Sequence, residues 1–550
     1  MKNLIPATLL FVLLSCHQKE KADLLVYNAT IYTVDSSFST AEAMAIKDGK
    51  IVATGKTADL EKEYDYNEKL NAEGKFIYPG FIDAHAHFVN YGLSLQTVNL
   101  VSTTSWDECI ERVKSFAAEN LSSGQADKEG WIIGRGWDQN DWEEKEFPNN
   151  EILDTLFPDR PVLLTRIDGH AAIANAKALE LAGIKPGDTL TGGEIEEMEG
   201  SLTGILIDNA IDLVTAKIPA TTASQMKKAL QMAEKNCFAM GLTTIDDCGL
   251  HYSTVELIKE FQAKGELQMR LYVMLSDDKT NFDYAAKNGM IKTDKLNVRS
   301  FKVYGDGALG SRGACLLEPY HDKPGHYGFL LSKPEHFDSV ASWLSEKKWQ
   351  MCTHAIGDSG NRTILKVYGK YLKGKNDQRW RIEHAQVVNQ QDFDLFGQYS
   401  IIPSVQPTHA TSDMYWAGDR LGNERVKGAY AYKQLLHQNG WMPLGTDFPV
   451  EDISPFKTFY AAVIRKDAKG WPANGYQMEN ALTREETIRG MTIWAARSNF
   501  EEKEKGSLEK GKFADFIILD RDLMKVQEKD ILQTVVLKTF LAGGMVYVAK

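Results

Sequence analysis

The stretch Phe81-Ile82-Asp83-Ala84-His85-Ala86-His87 decides how the chain is read. It follows Tyr78-Pro79-Gly80, and a Pro-Gly pair marks a break before a new element. The apolar run predicts a buried strand over Phe76–Ala84 whose end carries two histidines in H-x-H spacing. Residues i and i+2 of a strand point to the same face, so His85 and His87 can converge on one point. Imidazole is a common ligand for zinc and similar metals. An H-x-H pair alone is more often two loop histidines, so its meaning depends on what the rest of the chain adds.

Outward from this strand, the middle of the chain alternates strands with helices. Further strands are predicted at Thr243–Asp247, Met269–Leu275, Val298–Tyr304, Gln350–His354, Trp380–His384, Ile401–Gln406 and Trp441–Gly445. Ala223–Ala239, His336–Lys347 and Arg484–Ala496 have helical spacing. Strands joined by helical crossovers imply an α/β fold, a (β/α)₈ TIM barrel over 76–499. The gap after the first strand is too long for one crossover, so residues near 92–225 form a large inserted subdomain. The flanks differ. Residues 23–75 alternate short apolar runs with turns, among them Asp48-Gly49, a hairpin signal. Residues 500–550 repeat that style, with Gly543-Gly544 as a turn. Neither end has enough strand to close a core alone, so both are expected to pair into one small β-sandwich.

The totals fit this division. At 550 residues the chain is too long for one compact core. A net charge of -12 argues against a nucleic-acid partner, which needs a basic face. Six cysteines with no C-x-x-C pair signal neither a zinc ribbon nor a thioredoxin-like site. Residues 1–16 read as a targeting segment: Lys2, an apolar run over Leu4–Leu14, then Ser15-Cys16. Leu13-Leu14-Ser15-Cys16 resembles a bacterial lipobox, which implies lipidation at Cys16, a polar tether over 17–22, and a cell-envelope location with membrane contact through the lipid anchor alone.

Barrel enzymes place chemistry at the C-terminal ends of strands. His85 and His87 follow the first predicted strand; Lys302 lies on the fourth. His354 ends the fifth, His384 the sixth, and Asp447 follows the eighth. Four of the twelve histidines at strand ends, with an aspartate and a strand-borne lysine, point to a metal centre rather than to unrelated core histidines.

This set resembles the amidohydrolase superfamily, and within it the amidohydrolase family 3 branch of metal-dependent hydrolases. The resemblance runs through residues 79–87, through Asp306-Gly307-Ala308-Leu309-Gly310-Ser311-Arg312-Gly313, and through residues 506–515. It implies a metal-bearing barrel with a β-sandwich built from both ends. It further implies that His85 and His87 hold one metal, His354 and His384 a second, and that Asp447 touches the first metal and the attacking water. Lys302 stands where many members carry a bridging lysine carbamate, and a desolvated amine loses its proton readily and can take up CO₂. Read instead as a structural ammonium, Lys302 leaves a one-metal site. Zinc suits the N/O ligand set, although iron, manganese or cobalt fit too. Glu383 and Cys352 adjoin ligands, but strand alternation turns them to the other face.

The implied activity is hydrolysis of a non-peptide carbon–nitrogen bond in a small molecule: an N-acyl amine, amide or cyclic amide. A metal-activated hydroxide attacks the carbonyl carbon, while Asp447 accepts the water proton and delivers it to the leaving nitrogen. His170, in Asp168-Gly169-His170-Ala171-Ala172, is expected to orient substrate; Arg312 is a candidate for an anionic group, and Trp137-Asp138 for closing the pocket. His251, His321, His326, His336, His409 and His437 are read as surface or structural, with His321, His326 and His409 on loops within reach of the site. The same chemistry serves a deaminase or a lactone and ester hydrolase. A non-catalytic, lipid-anchored binding protein is the remaining class, but it would be expected to lose ligands that are all present here. Large relatives often dimerise, which leaves a homodimer open.

Overall fold

The computed structural model describes residues 19–121 and 130–550. The leader 1–16, with Cys16, lies outside the described residues.

Both ends of the chain build one sandwich. A four-stranded sheet runs Lys50–Gly55, Ala43–Lys47, Glu20–Tyr27, Tyr64–Asn71. A six-stranded sheet runs Gly544–Val548, Val536–Leu541, Phe516–Leu519, Phe76–Pro79, Thr30–Tyr32, Thr40–Ala41. Val26, Ile31, Met44, Ile46, Ile77, Phe516, Ile518 and Phe540 form the core between them. The Asp48-Gly49 turn joins its two strands with φ of 50° and 74°, the left-handed pair that a two-residue hairpin needs. At the other end the turn is Ala542-Gly543, φ 47° and 75°, and Gly544 already belongs to a strand, one residue off the expected Gly543-Gly544. The first strand starts at Glu20, inside the segment read as tether, and Glu20 pairs with Tyr64.

The stretch Phe76–Ala84 is two strands, not one. Phe76–Pro79 pairs with Thr30–Tyr32 and Phe516–Leu519 in the sandwich. After Gly80, Phe81–Ala86 becomes the first barrel strand beside Leu242–Leu250. The border therefore falls at Gly80, where a Cβ would lie 2.3 Å from Thr243 Oγ1. Only a bare Cα lets the chain pass from one sheet into the other at that spot.

The barrel is parallel and nearly closed. Its strands in order are Phe81–Ala86, Leu242–Leu250, Arg270–Ser276, Leu296–Tyr304, Gln350–Ala355, Arg381–His384 and Ile402–Ser404. Trp441–Gly445, expected as the eighth strand, closes the ring without forming one. Gly445 N–H donates to Val405 O and Ala84 N–H donates to Leu444 O. Pro443 has no N–H to give, and the Leu444 N–H is turned aside to the Gly490 carbonyl. That last bond also explains why Arg484–Ala496 is not one helix. The chain forms Arg484–Gly490 and Ile493–Ser498, with Gly490 pressed against Leu444 between them.

The insertion folds around its own mixed sheet, ordered Gly193–Met198, Ser201–Asp208, Ala171–Ala174, Val162–Arg166, Ile132–Trp137, Val98–Asn99. Apolar clusters cover both faces: Val98, Leu164 and Ile205 on one, Leu163, Ala172 and Leu206 on the other. The central strands Val162–Arg166 and Ala171–Ala174 read accordingly as near-continuous apolar runs, as a sheet covered on two sides requires.

Candidate metal centre

The end of the first barrel strand and the closing segment are laced together. Asp447 N–H donates to His85 O, and His87 N–H donates to Phe448 O, each at 2.8 Å. Asp83 accepts from Thr446 N and Oγ1 at 2.9 and 2.7 Å and from His85 N at 3.2 Å. A Cβ on Gly445 would lie 2.6 Å from His85 N, so this approach is open only to glycine. The H-x-H pair and Asp447 are thus fixed by backbone before any side chain is considered.

The side chains then converge on the Asp447 carboxylate. His87 Nε2 is 3.3 Å and His85 Nε2 3.7 Å from Oδ1; His409 Nε2 is 3.5 Å and His384 Nδ1 3.9 Å from Oδ2. His85, His384 and Asp447, all buried, offer donor atoms within 4.8 Å of one another. Lys302 Nζ, on the fourth strand, lies 3.1 Å from His85 Nε2. His354 sits at the edge of this group: its ring is 4.6 Å from that of His384, while its Nε2 faces Gly307 O at 3.4 Å.

The neighbours orient the donors. Glu383 Oε2 accepts from His85 Nδ1 at 2.5 Å, which leaves Nε2 as the free, electron-bearing nitrogen. His87 Nδ1 is engaged by Cys248 O at 3.0 Å, again leaving Nε2 toward Asp447. Glu383 was expected on the far face. It reaches His85 because the sixth strand ends there: His384 and Ala385 take φ of 71° and 41°, so the pleat alternation stops at Glu383. Cys352 does stay away from the donors, packed with Cys248, Tyr272 and Met274.

Electrostatics favour a cation. Burial raises the Asp447 carboxyl, but His87, His85 and His384 outweigh it and hold the group well below the usual carboxylate range. Burial, then Lys302, pushes His85 down to about 4; burial also drives His354 and His384 well below their ordinary value. The imidazoles are neutral at physiological pH, the form that binds metal. Two donor atoms, Asp447 Oδ1 and His409 Nε2, are buried without a hydrogen-bond partner. A buried carboxylate oxygen and a buried ring nitrogen facing each other's group, both unsatisfied, are what an ion between them would explain. Burial pulls the Lys302 ammonium down, but Cys248, Tyr304, Glu383 and Asp447 outweigh burial and hold it above its ordinary value.

The remaining sequence candidates are spread. His170 comes in from the insertion: its ring is 4.9 Å from that of His354, and its Nδ1 is held by Asp208. Asp138 is taken up by Arg166 and by the Asn140 N–H. Trp137 is fully buried in the insertion core, donating from Nε1 to Leu164 O at 2.8 Å. Arg312 pairs with Asp322 at 3.0 Å, with no bond to any metal-centre residue. His409, read as a surface or structural residue on a loop within reach of the site, and Glu383, read as facing away, both come to the cluster. The signal for His409 was Gln406-Pro407 after the seventh strand, since a Pro at N1 opens a helix at the barrel's C-terminal face.

Comparison with known proteins places these features in a group. Residues 68–547 match the family described as "Amidohydrolase family". The chain is 36% identical over 544 residues to the protein LONG AFTER FAR-RED 3 of Arabidopsis thaliana, covering 96% of this chain and 92% of that one. It is 25% identical over 551 residues to the N-substituted formamide deformylase of Arthrobacter pascens, covering 96% and 98%. Among solved structures, an uncharacterized metal-dependent hydrolase from Pyrococcus horikoshii OT3 superposes with a TM-score of 0.75 at 26% identity, covering 92% of this chain and 99% of that one.

Proposed function

The chain belongs to the amidohydrolase family, and on that premise we propose that it hydrolyses a non-peptide carbon–nitrogen bond in a small molecule, an N-acyl amine, amide or cyclic amide. The observation that carries this reading is the convergence of His85, His384 and Asp447 donor atoms within 4.8 Å at the end of the barrel where such enzymes work. The similarity to a formamide deformylase supports a C–N bond as the target.

His85, His87, His384 and Asp447 would hold the cation, with His409 facing the same carboxylate. A divalent ion there, zinc by its N/O ligand set, supplies acidity to water and polarises a carbonyl. The residues do the rest. Glu383 keeps His85 in one tautomer. Asp447, an anion surrounded by imidazoles, accepts the proton of the attacking water and passes it to the departing nitrogen, which cannot leave unprotonated. His170, fixed by Asp208, presents its other ring face beside His354, where it can donate to a carbonyl oxygen. Burial around the group excludes bulk water and strengthens each of these contacts.

The number of ions turns on His354 and Lys302: His354 bonds Gly307 O through Nε2, which leaves Nδ1 as its free donor, with its ring 4.6 Å from that of His384. A carbamate on Lys302 would be needed to bridge a second ion. Metal content of the leaderless protein, grown with zinc and bicarbonate beside Lys302→Ala, separates these: near one ion in both supports the mononuclear form, near two in the parent and fewer in the variant supports the bridged form. Activity is tested on zinc-loaded protein with panels of N-formyl and N-acyl amines, cyclic amides, aminopurines, and lactones. Turnover confined to lactones, or to aminopurines, sinks the amide reading. We also propose lipid attachment at Cys16 and an envelope location, checked by palmitate labelling that Cys16→Ala should abolish.

A further inference from the structure

This inference rests on the hydrolase reading and concerns which substrates the site selects. The inserted sheet reaches the metal centre through residues 167–170, the turn that carries His170. Arg135, on the strand Ile132–Trp137, lies alongside that turn. Its Nη2–H donates to the Ile167 carbonyl at 2.6 Å, and its Nη1 is 3.4 Å from where a side chain on Gly169 would begin. Gly169 takes φ 78°, so the turn passes Arg135 with no side chain in the way.

A guanidinium has five N–H donors. In Arg135 the Ile167 carbonyl takes one, Nε is buried with no partner, and no carboxylate among the described residues pairs with it. Arg166 is the contrast. It holds Asp138 and Asp168, the latter at 2.5 Å, and also bonds Gln139 at 2.8 Å. Two arginines and two aspartates balance in charge, yet Arg166 takes both carboxylates and Arg135 keeps its donors unused. Burial lowers the Arg135 guanidinium, while Asp168 and then Asp447 act to raise it; its place beside the site comes from the turn it holds, which carries His170 to within 4.9 Å of the His354 ring. Arg135 is half-buried, with its Nε–H buried and unpaired, and an N–H left so beside a reaction centre is costly unless a ligand completes it.

We propose that Arg135 is a specificity-determining residue whose unused N–H donors receive a carboxylate of the substrate, so that the enzyme selects acidic N-acyl compounds of the N-acyl amino acid type. A planar oxyanion matches the guanidinium fork, and the bond is charge-assisted on both sides. An uncharged analogue leaves the Nε–H unpaired and gives up the charge-assisted bond, so the site discriminates against it.

The test uses the metal-loaded full chain and two probes, N-acetylglycine and its uncharged methylamide, with dissociation constants from calorimetry. The parent is expected to prefer the acid by about tenfold or more. Arg135→Met should bind both probes alike, and Arg135→Lys should keep part of the preference. Unchanged metal content in each variant shows that the centre is intact. Equal binding of the two probes by the parent, or a preference that survives in Arg135→Met because the carboxylate goes to the metal, overturns the proposal. Acid preference without hydrolysis of any N-acyl compound would keep Arg135 and remove the amide reading; hydrolysis of neutral amides without acid preference would do the reverse.

Discussion

A methyl group on Gly445 would meet His85 N at 2.6 Å and His85 O at 2.8 Å, and backbone cannot step aside as a side-chain tip can. Gly445→Ala should therefore push the H-x-H strand from Asp447, with loss of bound metal and a stability cost of about 1–3 kcal/mol; metal analysis alongside thermal melts checks both. Glu383 permits a gentler test. Glu383→Gln keeps the volume but weakens the hold on His85 Nδ1, and about 10–100-fold in metal affinity or activity should go with it. A variant with parental zinc affinity and turnover would mean that His85 needs no such partner. At this scale the sequence was readable at the ends of strands: His85, His87 and His384 lie within 4 Å of the Asp447 carboxylate. It was unreadable where the backbone leaves its period. Glu383 escaped because His384 and Ala385 turn left-handed, and His409 because a helix carries it in from beyond the strand. Trp137 and Asp138 are neighbours in sequence, yet one fills the insertion core and the other pairs with Arg166, because a strand sends adjacent residues to opposite faces.

Elements were legible by period and hidden at their joints. Ala223–Ala239 begins where Thr222 and Gln225 close a capping box, a signal written in the sequence. The break at Gly80 was signalled by Pro79-Gly80, but that the chain changes sheets there was not, nor was the break at Gly490, because each answers to a partner distant in the chain, Thr243 and Leu444. The segment after Ile493–Ser498 has a similar long-range dependence with a pH signature. Glu501 is buried between Lys292 at 2.6 Å and Lys505 at 2.8 Å. Burial works to raise its carboxyl, but Lys505 and Lys292 outweigh burial and hold it below the ordinary value. A depressed carboxyl contributes stability that is present above the unfolded value, about 4.3, and is lost as pH falls through the folded one. Lys505 has the opposite sign: burial outweighs Glu501 and lowers it, so it costs stability at neutral pH, a cost relieved as pH rises. Glu501→Gln should lower the melting temperature at pH 7 and flatten its fall between pH 5 and 3. An unchanged acid limb would place the titrating group elsewhere.

Taken whole, the molecule is a barrel held between its own ends. The pairing of the two termini was legible because neither had strands enough to stand alone; the fold of the insertion was not, since a sheet covered on both faces reads like any buried run. Sandwich and barrel are joined by charge as well as by chain: Arg270, at the start of the third barrel strand, pairs with Asp515 through Nε at 2.7 Å and Nη2 at 3.0 Å. Asp515 also accepts from the Ala542 N–H at 2.7 Å. Removing one member of a buried pair leaves the other uncompensated, so Asp515→Asn should destabilise the protein by about 3–5 kcal/mol, read as a lowered melting temperature with the metal still bound. Loss of metal at parental stability would instead mean that this contact acts on the site.

The strand Phe76–Pro79 waits for a partner made late, Phe516–Leu519. Tyr78 shares the Asp522 carboxylate across 444 residues of chain, and Phe516–Leu519 completes the sheet in which Phe76–Pro79 lies. At a synthesis rate of about 5–20 residues per second, the opening strands stand without that neighbour for about 20–90 s. Over that interval they are bare, apolar edges, the state most open to pairing with another chain. Whatever carries this polypeptide through its birth must shield its beginning until its end arrives, and a copy stopped short anywhere in the barrel would be an aggregating fragment rather than a smaller enzyme.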